Sequence, residues 1–181
     1  GRITGFFAGE MRSAHRIGTR FVGAHAMKRV DRRFDVVVTT NNGYPLDQNL
    51  YQAVKGICAA HRIVKPGGDI LCLAECRDGV PGHGNFKTLM QAAGDPEALI
   101  EKLSGAEYDV LDRWQALKLA LALRDARVHL YSSLPGDAAR SAHMLPCSDP
   151  SHRLAEILSN LHGRADVAVL PQGPLAVPYS A

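Results

Sequence analysis

Four short runs in the chain are apolar at consecutive positions rather than at alternate ones: FDVVVT at 34–39, DILCLA at 69–74, RVHLYS at 127–132 and DVAVL at 166–170. Runs of this kind predict strands buried on both faces, because a strand with one wet face alternates apolar and polar residues. Helical patterns fill the intervals. Residues 48–64 read as a helix with Leu50, Val54 and Ile57 on its core side, ending before Pro66-Gly67-Gly68. Residues 86–93 and 96–103 read as short helices, the second with Asp95 as N-cap and Pro96 in its first turn. Residues 112–125 form an Ala- and Leu-rich helix, with Leu111, Leu117, Leu121 and either Leu123 or Ala120 as its apolar stripe. Residues 150–162 follow Asp149 and stop at Gly163, and residues 6–25 suggest a helix bent near Gly18 and Gly23. Strands separated by helices predict an α/β fold, a doubly wound, mostly parallel sheet with helices on both faces. Residues 1–30 are expected to be a connecting helical segment outside the sheet, and residues 31–181 the α/β domain.

Composition narrows the function classes without choosing one. The chain has 181 residues, 46% hydrophobic and 22% charged, with a formal net charge of +3. No run of ~18 apolar residues predicts a membrane span, and the first fifteen residues lack the apolar core of a secretory signal. The densest basic cluster, Lys28-Arg29-Val30-Asp31-Arg32-Arg33, is broken by an acid and has no aromatic stacking platform, so no nucleic-acid partner is expected. Four cysteines stand at 58, 72, 76 and 147 with no C-x-x-C pair, so reduced thiols and a cytoplasmic location are expected.

On a parallel sheet, ligands sit beyond the carboxyl ends of the strands. The chemistry is therefore sought at 39–46, 75–84, 132–136 and 171–174. The segment TTNNGYPLDQNLYQAVK at 39–55 leaves a strand, passes Asp47 as a candidate N-cap and enters a helix. At 100° per residue Gln48, Gln52 and Lys55 share a face, with Tyr51 one turn before Lys55. A compact ammonium and directed amides suit a small carboxylate or keto-acid, and they equally suit a solvated helix surface. The loop ECRDGVPGHGNF at 75–86 carries Gly79, Gly82 and Gly84, whose backbone N–H groups can face an anion. It matches neither common nucleotide-binding glycine pattern. His83 is a base, a ligand or a backbone cap; Glu75 and Asp78 bind a metal, orient His83 or fix the loop. Trp114, the one tryptophan, packs the core or walls a pocket. No metal-ligand spacing and no G-x-S-x-G elbow is present.

The string TTNNGYPLDQNLYQAVKG at 39–56 closely resembles the signature of the nickel-dependent lactate racemase family. FFAGE at 6–10, ECRDGVPGHGNF at 75–86 and LPQGP at 170–174 agree with it in order, over almost the whole chain. The resemblance is to the C-terminal part of that family. It implies that a larger N-terminal domain, with the histidines and a nickel pincer nucleotide tethered to a lysine, lies outside this sequence, which then starts in the connecting helix. It implies that Lys55 contacts the oxygens of a 2-hydroxy acid and stabilises a planar keto-acid formed by hydride transfer. It further implies that Tyr51, Gln52 and Trp114 line the substrate pocket, and that this domain rocks onto the other to close the site. Alone it is expected to be inactive and to hold no cofactor. Two other readings stand beside this one: a small-anion or phosphate-binding module using the loop from Gly79 to Gly84, and a domain that self-associates through the face its partner would cover.

Overall fold

A computed structural model describes residues 3–180 of the chain. Helix α1 (Met11–Ala26) is capped by Glu10, whose carboxylate accepts the N–H groups of Arg12 and Ser13 at 2.9 Å each. It leads into strand β1 (Met27–Val30), followed by β2 (Phe34–Thr40), α2 (Leu50–His61) and β3 (Val64–Leu73). Three helices come next: α3 (Phe86–Met90), α4 (Pro96–Ser104) and α5 (Arg113–Asp125). The rest alternates: β4 (Arg127–Tyr131), α6 (Gly136–Ser141), β5 (Leu145–Cys147), α7 (Pro150–Asn160), β6 (Val167–Leu170) and β7 (Val177–Ser180).

The main sheet is five-stranded, parallel throughout, and ordered β5-β4-β3-β2-β6. The chain steps outward from β2 to β5 and then returns to the far side of β2. That return puts α7 on the face opposite α2 and α5, because parallel crossovers keep one hand. The core lies on the α2–α5 side, where Val37, Ile70, Cys72, Val128 and Leu130 meet Leu50, Val54, Ile57 and Leu119. The doubly wound α/β expectation holds, and the predicted core face of α2 is the buried one.

Three local readings are corrected. Helix α2 ends at His61 rather than at 64, and β3 runs through Pro66-Gly67-Gly68 instead of starting after it. The register slips there: Phe34 pairs with Val64 but Val36 with Asp69, so β3 carries a bulge. The Asp35 carboxylate clasps it, accepting Lys65 Nζ at 2.8 Å and the Asp166 N–H at 2.8 Å. The stripe of α5 is the predicted one only in part: Ala120 is buried and Leu117 and Leu123 pack half-buried against the core. Leu111 is exposed, and Gln115, Ala116, Leu119, Ala120 and Ala122 are buried, because α2 and α4 flank the helix and select a different arc. Residues 27–30 are not helical: β1 pairs in parallel with β7, from Met27 opposite Val177 to Val30 opposite Ser180, as a separate two-stranded ribbon.

The strand order reverses between β2 and β6, and the crevice expected there is closed by chain. Thr40 Oγ1 donates to the Pro171 carbonyl at 2.7 Å and accepts the Asn42 N–H at 3.0 Å. At Gly173 a Cβ would lie 2.5 Å from Thr39 Oγ1, 2.6 Å from the Thr40 carbonyl and 3.0 Å from the Cα of Gly56. Only glycine lets the segment after β6 press onto β2 and the middle of α2.

Candidate functional site

Helix α2 is started by Asn49, not Asp47. The Asn49 side chain accepts the Gln52 N–H at 3.0 Å, while an Asp47 carboxylate oxygen accepts the Glu75 N–H at 3.1 Å. Gln48 precedes the helix and so lies off its face; its carbonyl receives the Asp78 N–H. Half-buried Tyr51 and Gln52 and exposed Lys55 remain on one side of the helix. Lys55 Nζ donates to Gln52 Oε1 at 2.6 Å, and among the described residues no carboxylate comes within salt-bridge distance of it. The next residue, Gly56, is buried, with its N–H on Asn41 Oδ1 at 3.0 Å. Lys55 is thereby held beside the carboxyl end of β2, where the sequence placed the chemistry.

Tyr51 joins this patch to α5. Its ring meets Phe86 edge-on at 5.3 Å and Trp114 edge-on at 6.2 Å. Its carbonyl accepts Gln115 Nε2 at 2.6 Å, a bond made by a fully buried amide. Trp114 is 51% exposed, so it is not a core residue. Lys118, one turn further along α5, puts its ammonium 4.7 Å from the Trp114 ring centroid, a cation–π contact. The face thus offers two ammonium groups and an amide beside two aromatic rings. Burial, and then the charge of the neighbouring Asp112 carboxylate, raise the Tyr51 hydroxyl above its usual pKa, so it keeps its proton at neutral pH.

Asp112 also organises the glycine loop. It stands in the left-handed region (φ +71°), and its Oδ2 accepts the Asn85 N–H at 3.0 Å. A Cβ on Gly84 would lie 2.1 Å from that oxygen. Gly84, itself in the left-handed region (φ +73°), thus has no room for a side chain beside the Asp112 carboxylate. Other loop donors are committed as well: the N–H groups of Cys76, Asp78 and Gly79 go to the carbonyls of Asp47, Gln48 and Cys76. Glu75 pairs with Arg77 at 3.1 Å rather than with His83, which is exposed. The loop's geometry speaks for a structural role, coupling the start of α2 to the start of α5.

The buried thiols take no part. Burial pushes Cys72 and Cys76 well above the usual thiol range and Cys58 more modestly, and all four cysteines are free. No group of three or more His, Cys, Asp and Glu side chains among the described residues is placed to hold a metal ion. Sequence reasoning missed Lys118, Asp112 and Gln115. Lys118 was legible as the i+4 neighbour of Trp114; Asp112 and Gln115 act across 28 and 64 positions, which no local pattern shows.

Residues 30–177 match the family described as the lactate racemase C-terminal domain. The chain belongs to that family. It is 33% identical over 175 residues to the lactate racemase of Thermoanaerobacterium thermosaccharolyticum, and 35% identical over 179 residues to that of Lactiplantibacillus plantarum. Each alignment covers 95% of this chain and 41% of the relative, so the chain spans about two-fifths of the length of these curated proteins. The structure of the T. thermosaccharolyticum lactate racemase apoprotein superposes with a TM-score of 0.83 at 33% identity, over 91% of this chain and 40% of that one. A crystal structure from Thermotoga maritima shares the fold, with a TM-score of 0.62 at 13% identity, over 94% of this chain and 42% of that one. The resemblance read from residues 39–56 is thus the family relationship. No helix among the described residues is long and apolar enough to cross a membrane.

Proposed function

We propose that this domain is the substrate-closing part of a racemase or epimerase acting on a 2-hydroxy acid such as lactate, with Lys55, Gln52, Tyr51 and Trp114 facing the substrate. The observation that carries this reading is the Lys55 ammonium. It is exposed, it is held by one neutral amide, and no carboxylate among the described residues competes for it. A racemisation through a planar keto-acid builds negative charge on the substrate's oxygens. A preorganised ammonium in a site closed to water stabilises that charge most when it develops. Gln52 holds Nζ in place and, once Nζ turns to the substrate, has its own amide free for a second oxygen. Tyr51 and Trp114 supply a flat apolar wall that excludes water from one side.

The remainder of the site belongs, in this proposal, to the part of the relatives that this chain does not span. The nickel pincer nucleotide implied by the family would supply hydride abstraction and return. The residues described here form no metal-holding set, so their contribution is binding, orientation and charge stabilisation. Residues 11–30 would then be the connecting segment: α1 buries none of its residues against the domain and leaves Met11, Ile17 and Val22 exposed. The β1–β7 ribbon ties that segment to residues 177–180.

Calorimetric titration of the chain with lactate and pyruvate tests the assignment. Binding at about millimolar strength, abolished by Lys55→Ala and retained in Gly82→Val, is expected. Binding that survives Lys55→Ala and is lost in Gly82→Val would instead make the domain an anion-binding module built on the glycine loop.

A further inference from the structure

The proposed function leaves Lys118 without a task, although it stands beside the residues that carry it. Helices α2 and α5 lie side by side and run the same way: Tyr51 meets Trp114 near their starts, and His61 Nε2 meets Asp125 at 2.8 Å near their ends. Tyr51 and Trp114 are the second residues of the two helices, and Lys55 and Lys118 are the sixth. The two lysines therefore stand at the same level of neighbouring helices. Lys118 is on the α2 side of α5, because its charge is felt at Cys58, where it works against the burial that raises the thiol.

The acids close to Lys118 in the chain are committed elsewhere. Asp125, the one acid on α5, is taken by Arg124 at 2.7 Å and by His61. Asp112, before the helix, accepts the Asn85 N–H. What the Lys118 ammonium meets instead is the face of Trp114, one turn back along α5, at 4.7 Å from the ring centroid. The ring in turn needs support. It is half-exposed, and Tyr51 touches it edge-on, with the ring centroids 6.2 Å apart. Val110 and Leu111, just before it, are themselves exposed. An indole held along one edge can turn about its side-chain bonds, and ordering it when a ligand arrives weakens binding. A cation over the ring face is drawn to the ring's quadrupole, more strongly where water is excluded. It therefore fixes the ring before the ligand arrives and holds it harder once the site closes.

We infer that Lys118 is a positioning residue of the substrate pocket: its ammonium covers one face of the Trp114 indole and holds the ring against Tyr51, so that this wall is formed before the substrate binds. The inference rests on the reading of the α2–α5 face as a 2-hydroxy-acid site. Trp114 is the only tryptophan in the 181 residues, so its fluorescence anisotropy in this chain reports the motion of that one ring. Lys118→Gln should lower the anisotropy while the far-ultraviolet circular dichroism stays the same. Lys118→Arg should restore it, because a guanidinium also stacks on aromatic faces. In the complete, cofactor-loaded protein Lys118→Gln should raise KM for lactate about two- to fivefold, the scale of one exposed cation–π contact, with kcat within about twofold. Lys118→Arg should keep the parent KM. In a Trp114→Leu background Lys118→Gln should change KM no further, since its effect passes through the ring. An equal KM effect in that background would mean that the ammonium pulls on the substrate directly, and would overturn the inference. Unchanged anisotropy or unchanged KM in Lys118→Gln, or no rescue by Lys118→Arg, overturns it as well. Lys55→Ala separates the two levels. Lost turnover in Lys55→Ala beside an unchanged KM in Lys118→Gln removes this inference alone; full turnover in Lys55→Ala removes the substrate-site reading and this inference with it.

Discussion

Replacing Gly56 by alanine should destabilise the protein, although it removes a glycine from the middle of a helix. In an unpacked helix that change stabilises by about 1 kcal/mol, because alanine loses less backbone entropy on folding. At Gly56 the new methyl would lie 2.7 Å from the Thr40 carbonyl oxygen, 3.3 Å from its carbon and 3.2 Å from Asn41 Oδ1. The oxygen belongs to strand backbone, and Asn41 already holds the Gly56 N–H, so neither can retreat without moving β2 or α2. Overpacking of this kind costs about 1–3 kcal/mol. Because the closest contact is fixed backbone, the upper part of that range, about 2–3 kcal/mol, applies, and the helix gain of about 1 kcal/mol leaves a net loss of about 1–2 kcal/mol. Urea denaturation followed by far-ultraviolet circular dichroism measures it. Gly23→Ala, in the exposed helix α1, is the matched control: its methyl would meet only Met27 Sδ at 3.9 Å. That variant should be neutral or slightly stabilising. A Gly56→Ala protein as stable as the parent would refute the close contact between α2 and β2 that positions Lys55.

Other consequences follow from the same geometry. Gly84→Ala combines a left-handed backbone with a methyl driven onto Asp112, and should cost about 2–4 kcal/mol; a double-mutant cycle with Asp112→Gly should recover part of that loss. Gln115→Ala removes the buried bond to the Tyr51 carbonyl and should cost about 2 kcal/mol, with a shift in Trp114 fluorescence that a remote surface variant would not show. The carboxyl of Asp35 is held low by the Lys65 and Asp166 hydrogen bonds, and that of Asp125 by Arg124 and then His61. Groups with depressed folded pKa values contribute stability above the unfolded value of about 4, lost as pH falls towards the folded values. The urea midpoint should therefore drop on acidification below pH ~4, and less steeply in Asp35→Asn.

The parts of the fold legible in the sequence are those written in short-range pattern. Strands β2, β3, β4 and β6 are short apolar runs, and Leu50, Val54 and Ile57 recur at helical spacing, so the main sheet and the α2 core face followed directly; β6, at the sheet edge with Val167 and Val169 exposed, departs from the expected burial on both faces. Strand β5 did not, because Leu145-Pro146-Cys147 is too short for a pattern and carries a proline. Strand β1, Met27-Lys28-Arg29-Val30, is half charged and becomes a strand only by pairing with β7 at the other end of the chain. Pro66-Gly67-Gly68 reads locally as a stop; the Asp35–Lys65 clasp, thirty positions apart, turns it into a bulge. At the candidate site the helical spacing of Tyr51, Gln52 and Lys55 was visible, but it suits a solvated face equally well. Trp114 was open between core and pocket wall on its own residues, and its half-exposed place between Tyr51 and Lys118 depends on α2 packing against α5.

The most direct test of the account is the turnover of the complete, cofactor-loaded protein carrying this domain, with lactate as substrate and Lys55 replaced by alanine. Loss of one preorganised charge at the reacting oxygens should lower kcat by about 10²–10³-fold, with the fold and cofactor loading unchanged. Turnover equal to that of the unsubstituted protein would show that the α2 ammonium does not face the reacting substrate.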